Sequence, residues 1–241
     1  MSYESKQKNV LLKAEKLCKD YGEGTGVTHA LIDVDLEIYE GELLCIVGGS
    51  GSGKSTLLNI IGGIDRPMSG TIQYHGKDIS KLSDNELTIF RRDEIGFVFQ
   101  FFNLIDEINV YQNLTIVKNS DKDRQKLTKL LASMGLHEKL NKYPRELSGG
   151  EQQRVSIARA LNKPSSILLC DEPTGALDYQ SGKEILQLIE QLHENEKKTI
   201  VIVTHTKEIA KMCDRTIMVK SGRIVGDVEN YRKIRAKEVN W

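Results

Sequence analysis

The segment LLCIVGGSGSGKSTLLNII, Leu43 to Ile61, leaves this chain few folds to choose from. LLCIV is a continuous apolar run, the pattern of a strand buried on both faces of a covered sheet. A glycine-rich turn follows, and KSTLLNII then reads as a helix from Lys54 to Ile61. The same alternation returns downstream. EIGFVFQ (Glu94 to Gln100), SILLCD, TIVIVTH and RTIMVK read as strands, with helices from Gln180 to His193 and from Lys207 to Met212. Strands alternating with helices imply parallel βαβ units and an α/β fold. Upstream, Ala30, Ile32, Val34, Leu36 and Ile38 alternate with other positions and read as a half-buried strand, joined to LLCIV by the turn YEGE. GTIQYH is a further short strand. The helix Ser83 to Arg92 begins with SDNE, a capping box. From Phe101 to Leu161 the strand signal fades: Leu127, Leu130, Leu131 and Met134 recur at helical spacing, and SGGEQQRVSIARAL reads as a helix capped by Ser148. The expected organisation is one domain over 1–241: an α/β core over 10–100 and 162–228, a helical insert over 101–161 and a short charged tail over 229–241, read as a solvated end.

The 34 Lys and Arg balance the 34 Asp and Glu, which argues against a dedicated polyanion-binding surface. Cys18, Cys45, Cys170 and Cys213 form no metal-type pattern. Cys45 and Cys170 sit in apolar runs and read as buried thiols, which fits a cytoplasmic protein. The stretch MSYESKQKNV has no apolar h-region, and no run reaches the ~20 apolar residues of a spanning helix. Work at a membrane would therefore require a partner that spans it.

GGSGSGKST, Gly48 to Thr56, supplies Gly48, Gly49, Ser50, Gly51, Ser52 and Gly53 to a loop that ends in Lys54, Ser55 and Thr56. Placed between a buried strand and a helix, such a loop converges backbone N–H groups on phosphate oxygens, aided by the helix dipole. Lys54 then reaches the β- and γ-phosphates and Ser55 reaches Mg²⁺. ILLCDEP, Ile167 to Pro173, ends a buried strand in two carboxylates. Asp171 is the metal candidate and Glu172 the candidate for polarising an attacking water.

A second glycine-rich turn, LSGGEQQR from Leu147 to Arg154, narrows the reading. With it, the chain resembles the ATP-binding-cassette (ABC) ATPases, the motor subunits of ABC transporters, from about Leu11 to Asp227 and with the motifs in family order. The resemblance implies a RecA-like P-loop NTPase core, with an N-terminal antiparallel β-subdomain and an inserted α-helical subdomain. It implies ATP and Mg²⁺ as ligands, ATP hydrolysis, and two cassettes facing head to tail. Ser148, Gly149 and Gly150 of one copy would then contact the γ-phosphate held in the cradle of the other. It further implies that Tyr21 stacks on adenine, with a plain surface tyrosine as the alternative. Gln100 would reach Mg²⁺ and the attacking water, Asp178 in GALD would belong to the loop linking the two sites, and His205 would hold the γ-phosphate and orient Glu172.

GGIDRPMSGTI, RRDEIGFVFQFFNLI and DEPTGALD look like the branch that contains macrolide exporters, lipoprotein-release ATPases and bacitracin-type peptide exporters. Gly49 stands where that branch usually has proline and Cys170 where it usually has alanine. The stretch from Asn113 to Leu136 is shorter than the branch's usual length. In the family this helical region receives an integral membrane permease. Phe101, Phe102, Leu104 and Ile105 after Gln100 would belong to the same face, core packing being the alternative. The expected role is a motor subunit, peripheral on the inner face of the cell membrane through the permease. It would serve an exporter of peptide, antibiotic or lipoprotein type, as a homodimer rather than a heterodimer and with no nucleic-acid partner. The alternatives are a membrane complex that signals or controls cell-wall enzymes without transport, and a soluble ABC ATPase of DNA repair or translation.

Overall fold

The computed structural model describes residues 9–116 and 124–241. The sequence expectations for residues 1–8, and part of the shortened stretch between Asn113 and Leu136, lie outside them. The strand at Leu43–Val47 (β3) is buried at all five positions and sits in the middle of a six-stranded sheet. It runs parallel to Thr199–Thr204 (β8) on one side and Arg215–Lys220 (β9) on the other. Ile167–Asp171 (β7) pairs parallel with β8, and Ile95–Val98 (β6) parallel with β7. Alternate residues of β3 enter two cores. Leu43, Cys45 and Val47 face one side, and Leu44 and Ile46 the other. That two-sided burial is why LLCIV carries no polar position.

One face is covered by Lys54–Ile61 (α1), Asp84–Asp93 (α2) and a four-stranded antiparallel sheet. This second sheet is ordered Thr28–Tyr39 (β2), Val10–Tyr21 (β1), Ser69–Tyr74 (β4) and Lys77–Asp78 (β5). The strand β1 was not legible in the sequence. Its buried Leu11, Leu12, Ala14 and Leu17 lose period two where Lys16 takes φ 50° and the pairing with β2 shifts register. The same slip corrects the expected alternation of β2: Val34, Leu36 and Ile38 are buried, but beyond Asp33 (φ 52°) it is Leu31 that turns inward, in place of Ala30 and Ile32.

The other face carries Val110–Thr115 (α3), Arg124–Ser133 (α4), Gly149–Leu161 (α5) and Tyr179–Glu196 (α6). Leu127, Leu131 and Met134 are buried there, as their spacing predicted. The strand expected to reach Gln100 stops at Val98. The helix expected to reach Met212 is a single turn, Lys207–Ala210 (α7). A sheet-edge strand, Arg223–Glu229 (β10), pairs antiparallel with β9; its alternating exposed and half-buried positions weaken its sequence signal.

The tail is the main correction. It is not a solvated end: Ala236 and Val239 are fully buried in the core beneath α6. Arg235 pairs with Glu194, and the Ala236 amide donates to Glu190. Cys45, Cys170 and Cys213 are buried free thiols, and burial pushes the Cys170 thiol up.

Asp214 ties this end of the core together. It accepts from the Leu43 amide at 2.8 Å and pairs with His193 Nε2 at 3.1 Å and with Lys233. Burial opposes its charge, but the bonds from His193, Lys233 and Leu43 outweigh it and hold the carboxyl well below the usual range. A carboxyl depressed in the folded state lends stability that is full above its unfolded value, about 3.9, and fades as pH falls through the folded one. Asp214→Asn should therefore cost about 1–3 kcal/mol at neutral pH. Urea unfolding followed from pH 7 to pH 3 should show a shallower acid loss in the variant than in the parent.

Candidate functional site

Parallel strands bring their carboxyl ends to one edge of the sheet. Val47 lies opposite Thr204, and Asp171 opposite Val203. The loop after β3 therefore opens beside the ends of β7 and β8. Two glycines shape it. A Cβ on Gly48 would stand 2.3 Å from the Val219 carbonyl, and one on Gly53, at φ 104°, 2.3 Å from the Ala30 carbonyl. The loop is pinned from outside as well: the Gly222 amide donates to the Ser52 carbonyl and the Ile32 amide to the Gly222 carbonyl. The antiparallel sheet thus fixes the far wall of the cradle.

Lys54 is 6% exposed at the first turn of α1, and its amine donates to the Gly49 carbonyl at 2.8 Å, folded back over its own loop. The Ser52 hydroxyl is buried without a partner. Ser55 Oγ donates to Asp171 Oδ1 at 3.0 Å, joining the cradle to the end of β7. Burial raises the Asp171 carboxyl; the Ser55 bond lowers it, the neighbouring Glu172 charge raises it and Lys54 lowers it, with a net rise. The loop, His205, Lys207, Met218 and Lys220 line a cavity of about 740 Å³.

Glu172 takes φ 47°, a left-handed conformation that costs a side-chain-bearing residue free energy. Its carboxylate is held on both oxygens. Thr204 Oγ1 donates to Oε2 at 3.0 Å; the His205 amide donates to Oε1 at 2.9 Å, and His205 Nδ1 meets the same oxygen at 2.8 Å. Thr204 is fully buried and also accepts from the Thr206 amide. The sequence reading missed Thr204, whose only signal was a hydroxyl one residue before His205 at a strand end. Gln100 packs by Gly175, where an added Cβ would lie 3.0 Å from Gln100 Nε2 and 3.3 Å from Glu172 Cβ. Gln153, fully buried on α5, donates to the Pro173 carbonyl at 2.9 Å and so ties that helix to the carboxylate loop. It too was missed, hidden among the polar residues of EQQR.

Tyr21 lies at the other end of the cradle. Its hydroxyl donates to Asp65 at 2.6 Å, Lys19 stands 5.0 Å from its ring centre, and the ring is 43% exposed. Burial first, then the Asp65 bond, raises its phenol, and the Thr56 hydroxyl opposes that rise. An exposed ring face beside Thr56 suits an aromatic ligand.

The second glycine turn stands apart from this cluster. Ser148 is exposed and caps α5 in a capping box with Glu151. A Cβ on Gly149 would meet Leu177, and one on Gly150 would come 2.9 Å from Ser181. The turn therefore rests on the 175–178 loop and on α6, which is capped by Asp178. The exposed Ser148 cap lies at the positive end of the α5 dipole, which suits an anion.

The residues present fit a nucleotide and a hard cation. A buried lysine amine at the loop and a buried cradle hydroxyl without a partner suit phosphate oxygens. Among the described residues no three His, Cys, Asp or Glu side chains cluster to hold a metal. A hydroxyl and one carboxylate match Mg²⁺, which takes its remaining ligands from water and phosphate.

Comparison with known proteins agrees with this geometry. Residues 31–175 match the family model described as ABC transporter. A macrolide export ATP-binding/permease protein, MacB, of Bradyrhizobium diazoefficiens is 43% identical over 222 residues, covering 90% of this chain and 34% of that protein. The MacB protein of Bartonella quintana is 42% identical over 97% of this chain and 36% of its own length. This chain thus spans about a third of the curated relatives it matches. A dimeric ATP-binding cassette in a post-hydrolysis state, bound to ADP and Pi, superposes with a TM-score of 0.83 at 41% identity, covering 90% of this chain and 98% of that one.

The strain at Asp171 gives a test. An isosteric amide keeps the bond from Ser55 but removes a charge that burial disfavours. Asp171→Asn should raise the melting temperature of the nucleotide-free protein while lowering its affinity for Mg²⁺–nucleotide at least tenfold, about 1.4 kcal/mol or more. Calorimetry with and without Mg²⁺ checks both signs.

Proposed function

This chain belongs to the ABC transporter family, and on that premise we propose that it is an ATP-binding and ATP-hydrolysing motor subunit that acts as a pair of copies on a membrane permease. The observation that carries the reading is the convergence of Lys54, Ser55, Asp171 and the Glu172–His205 pair at the carboxyl ends of β3, β7 and β8.

In this reading Lys54 leaves the Gly49 carbonyl for the β- and γ-phosphates, and the cradle amides take the remaining oxygens. Tyr21 offers its ring to adenine. Ser55, Asp171 and Gln100 would hold Mg²⁺, which would neutralise charge on the phosphates. Glu172, fixed by Thr204 and His205, accepts the proton of the attacking water. His205 bonds Glu172 and lines the cradle cavity, which supports it as the group that holds the γ-phosphate and orients Glu172. Ser148, Gly149 and Gly150 close over the phosphate in the opposite copy, and Asp178 lies on the loop between the two sites. Each nucleotide then bridges both copies, so hydrolysis removes the contact that holds them together.

The permease face is supported by exposed apolar groups beside buried anchors. Phe101 is 74% exposed and Ile116 57%, while Leu104 packs inward. Beneath them Arg159 donates to the Phe102 and Asn103 carbonyls, and buried Asn113 bonds Ile105 through both its backbone groups. A loop so pinned presents Phe101 as a fixed apolar knob. No helix among the described residues is long and apolar enough to cross a membrane. The resemblance to MacB supports an exporter.

Two outcomes follow. Glu172→Gln should bind ATP within about threefold of the parent, lose more than 100-fold in turnover, and accumulate a closed dimer on a sizing column with ATP. Normal steady-state hydrolysis by that variant would sink the assignment. Tagged Glu172→Gln, purified with ATP and Mg²⁺ from detergent-solubilised membranes of its own host, should retain a stoichiometric integral membrane protein, and Phe101→Ser should release it. Recovery of soluble or nucleic-acid partners alone would overturn the membrane role.

A further inference from the structure

The tail follows α6 from its far end back to its start. Arg235 pairs with Glu194 and lies 3.5 Å from Glu190, near the carboxyl end of the helix. Ala236 and Val239 then bury themselves beneath it. The segment finishes on the first turn of α6. Tyr179 donates its hydroxyl to Asn240 Oδ1 at 2.8 Å, and its ring lies 5.1 Å from the Trp241 ring, tilted 48°. A Cβ on Gly182 would stand 2.9 Å from Trp241 Cζ2 and 3.4 Å from Thr174 Cβ. Glycine at this position is what lets the indole lie against the helix. Lys183 closes the cluster from outside, donating to the Tyr179 hydroxyl at 3.1 Å.

That first turn carries more than the tail. Asp178 caps it and ends the loop that begins at Gly175 beside Gln100. Ser181 touches the Gly150 position, and Leu177 touches the Gly149 position. One helical turn therefore receives Trp241 on one side and supports the Ser148–Gly150 turn and the 175–178 loop on another. These are the two backbone segments that must match the opposite copy. A helix end is the softest part of a helix, because its first N–H groups lack partners within it. Fixing it from a second direction lowers the freedom that both segments lose on closure.

We infer that Trp241, with Asn240 and Tyr179, is a positioning clamp for the partner-facing half of the site, setting the first turn of α6 and through it the Ser148–Gly150 turn and Asp178. The inference rests on the two-copy reading above. The clamp touches neither the cradle nor its carboxylates, so it acts on association of the copies and leaves nucleotide capture by one copy alone.

The test uses the full chain in the Glu172→Gln background. Trp241→Ala removes the ring, Trp241→Phe keeps an aromatic, and Tyr179→Phe keeps its ring but removes the bonds of its hydroxyl to Asn240 and Lys183. Nucleotide affinity is measured at low protein concentration, where the chain is monomeric, and ATP-dependent association by sedimentation. For Trp241→Ala the clamp predicts unchanged ATP affinity of the monomer and dimer association weakened roughly three- to tenfold, as expected for one lost aromatic pair. Trp241→Phe should recover most of the loss, and Tyr179→Phe should fall between. Hydrogen exchange at residues 147–152 should quicken in nucleotide-free Trp241→Ala. A variant that melts earlier but associates like its parent, with unchanged exchange at 147–152, reduces the tail to a structural brace and overturns the inference. A variant whose monomeric ATP affinity falls in step with association overturns it as well. Failure of Glu172→Gln itself to associate with ATP would remove the two-copy reading, and the clamp with it.

Discussion

The structure depends on the parallel register of one strand. Because β3 runs alongside both β8 and β9, the loop that follows it must open where β7 and β8 end. Ser55 can then reach Asp171 across 116 residues of sequence at 3.0 Å, and His205 can reach Glu172 at 2.8 Å. Neither contact follows from local sequence. A register slip of one residue would turn every side chain of β3 to the other face and exchange the two cores. The two-sided apolar burial that fixes the register is therefore also what assembles the site.

Chain segments whose physics is local were legible in the sequence. The capping box at Ser83, the cap at Ser148 and the buried strand LLCIV each carry their own signal, and the structure places them as read. Segments whose stability comes from distant partners were not. Strand β1 hides its buried residues behind a left-handed Lys16 and a run of charges, and only its pairing with β2 and β4 makes it a strand. The tail looked solvated because its charges dominate YRKIRAKEVNW, yet Arg235 finds Glu190 and Glu194, Lys233 finds Asp214, and Ala236 and Val239 are left to be buried. At the site, the glycine-rich loop and the strand-end carboxylates were readable as motifs. The groups that hold them, Thr204 under Glu172 and Gln153 under the carboxylate loop, were not, because a hydroxyl or amide acting as a prop has no pattern of its own.

The two glycine-rich turns do different physical jobs. The first is closed in by its own chain: Val219 and Ala30 crowd it, Lys54 bonds back to it and Asp171 meets it through Ser55. The second is displayed, with an exposed serine cap and a helix dipole pointing outward from a base of Leu177 and Ser181. A helix N-terminus aimed at solvent is an anion site only when a second body delivers the anion. That body, in this account, is another copy carrying nucleotide in its cradle. Phe101 is displayed as well, 74% exposed on the loop after β6.

The central claim is that one ATP is shared between the cradle of one copy and the glycine turn of the other. Mixing two disabled copies tests it most directly. Lys54→Ala loses the cradle and keeps the turn; Ser148→Arg loses the turn and keeps the cradle. Each alone should be inactive. Mixed, they should regain ATP turnover, because one of the two sites in the mixed dimer joins an intact cradle to an intact turn. Turnover that stays at background at every mixing ratio would contradict the shared site.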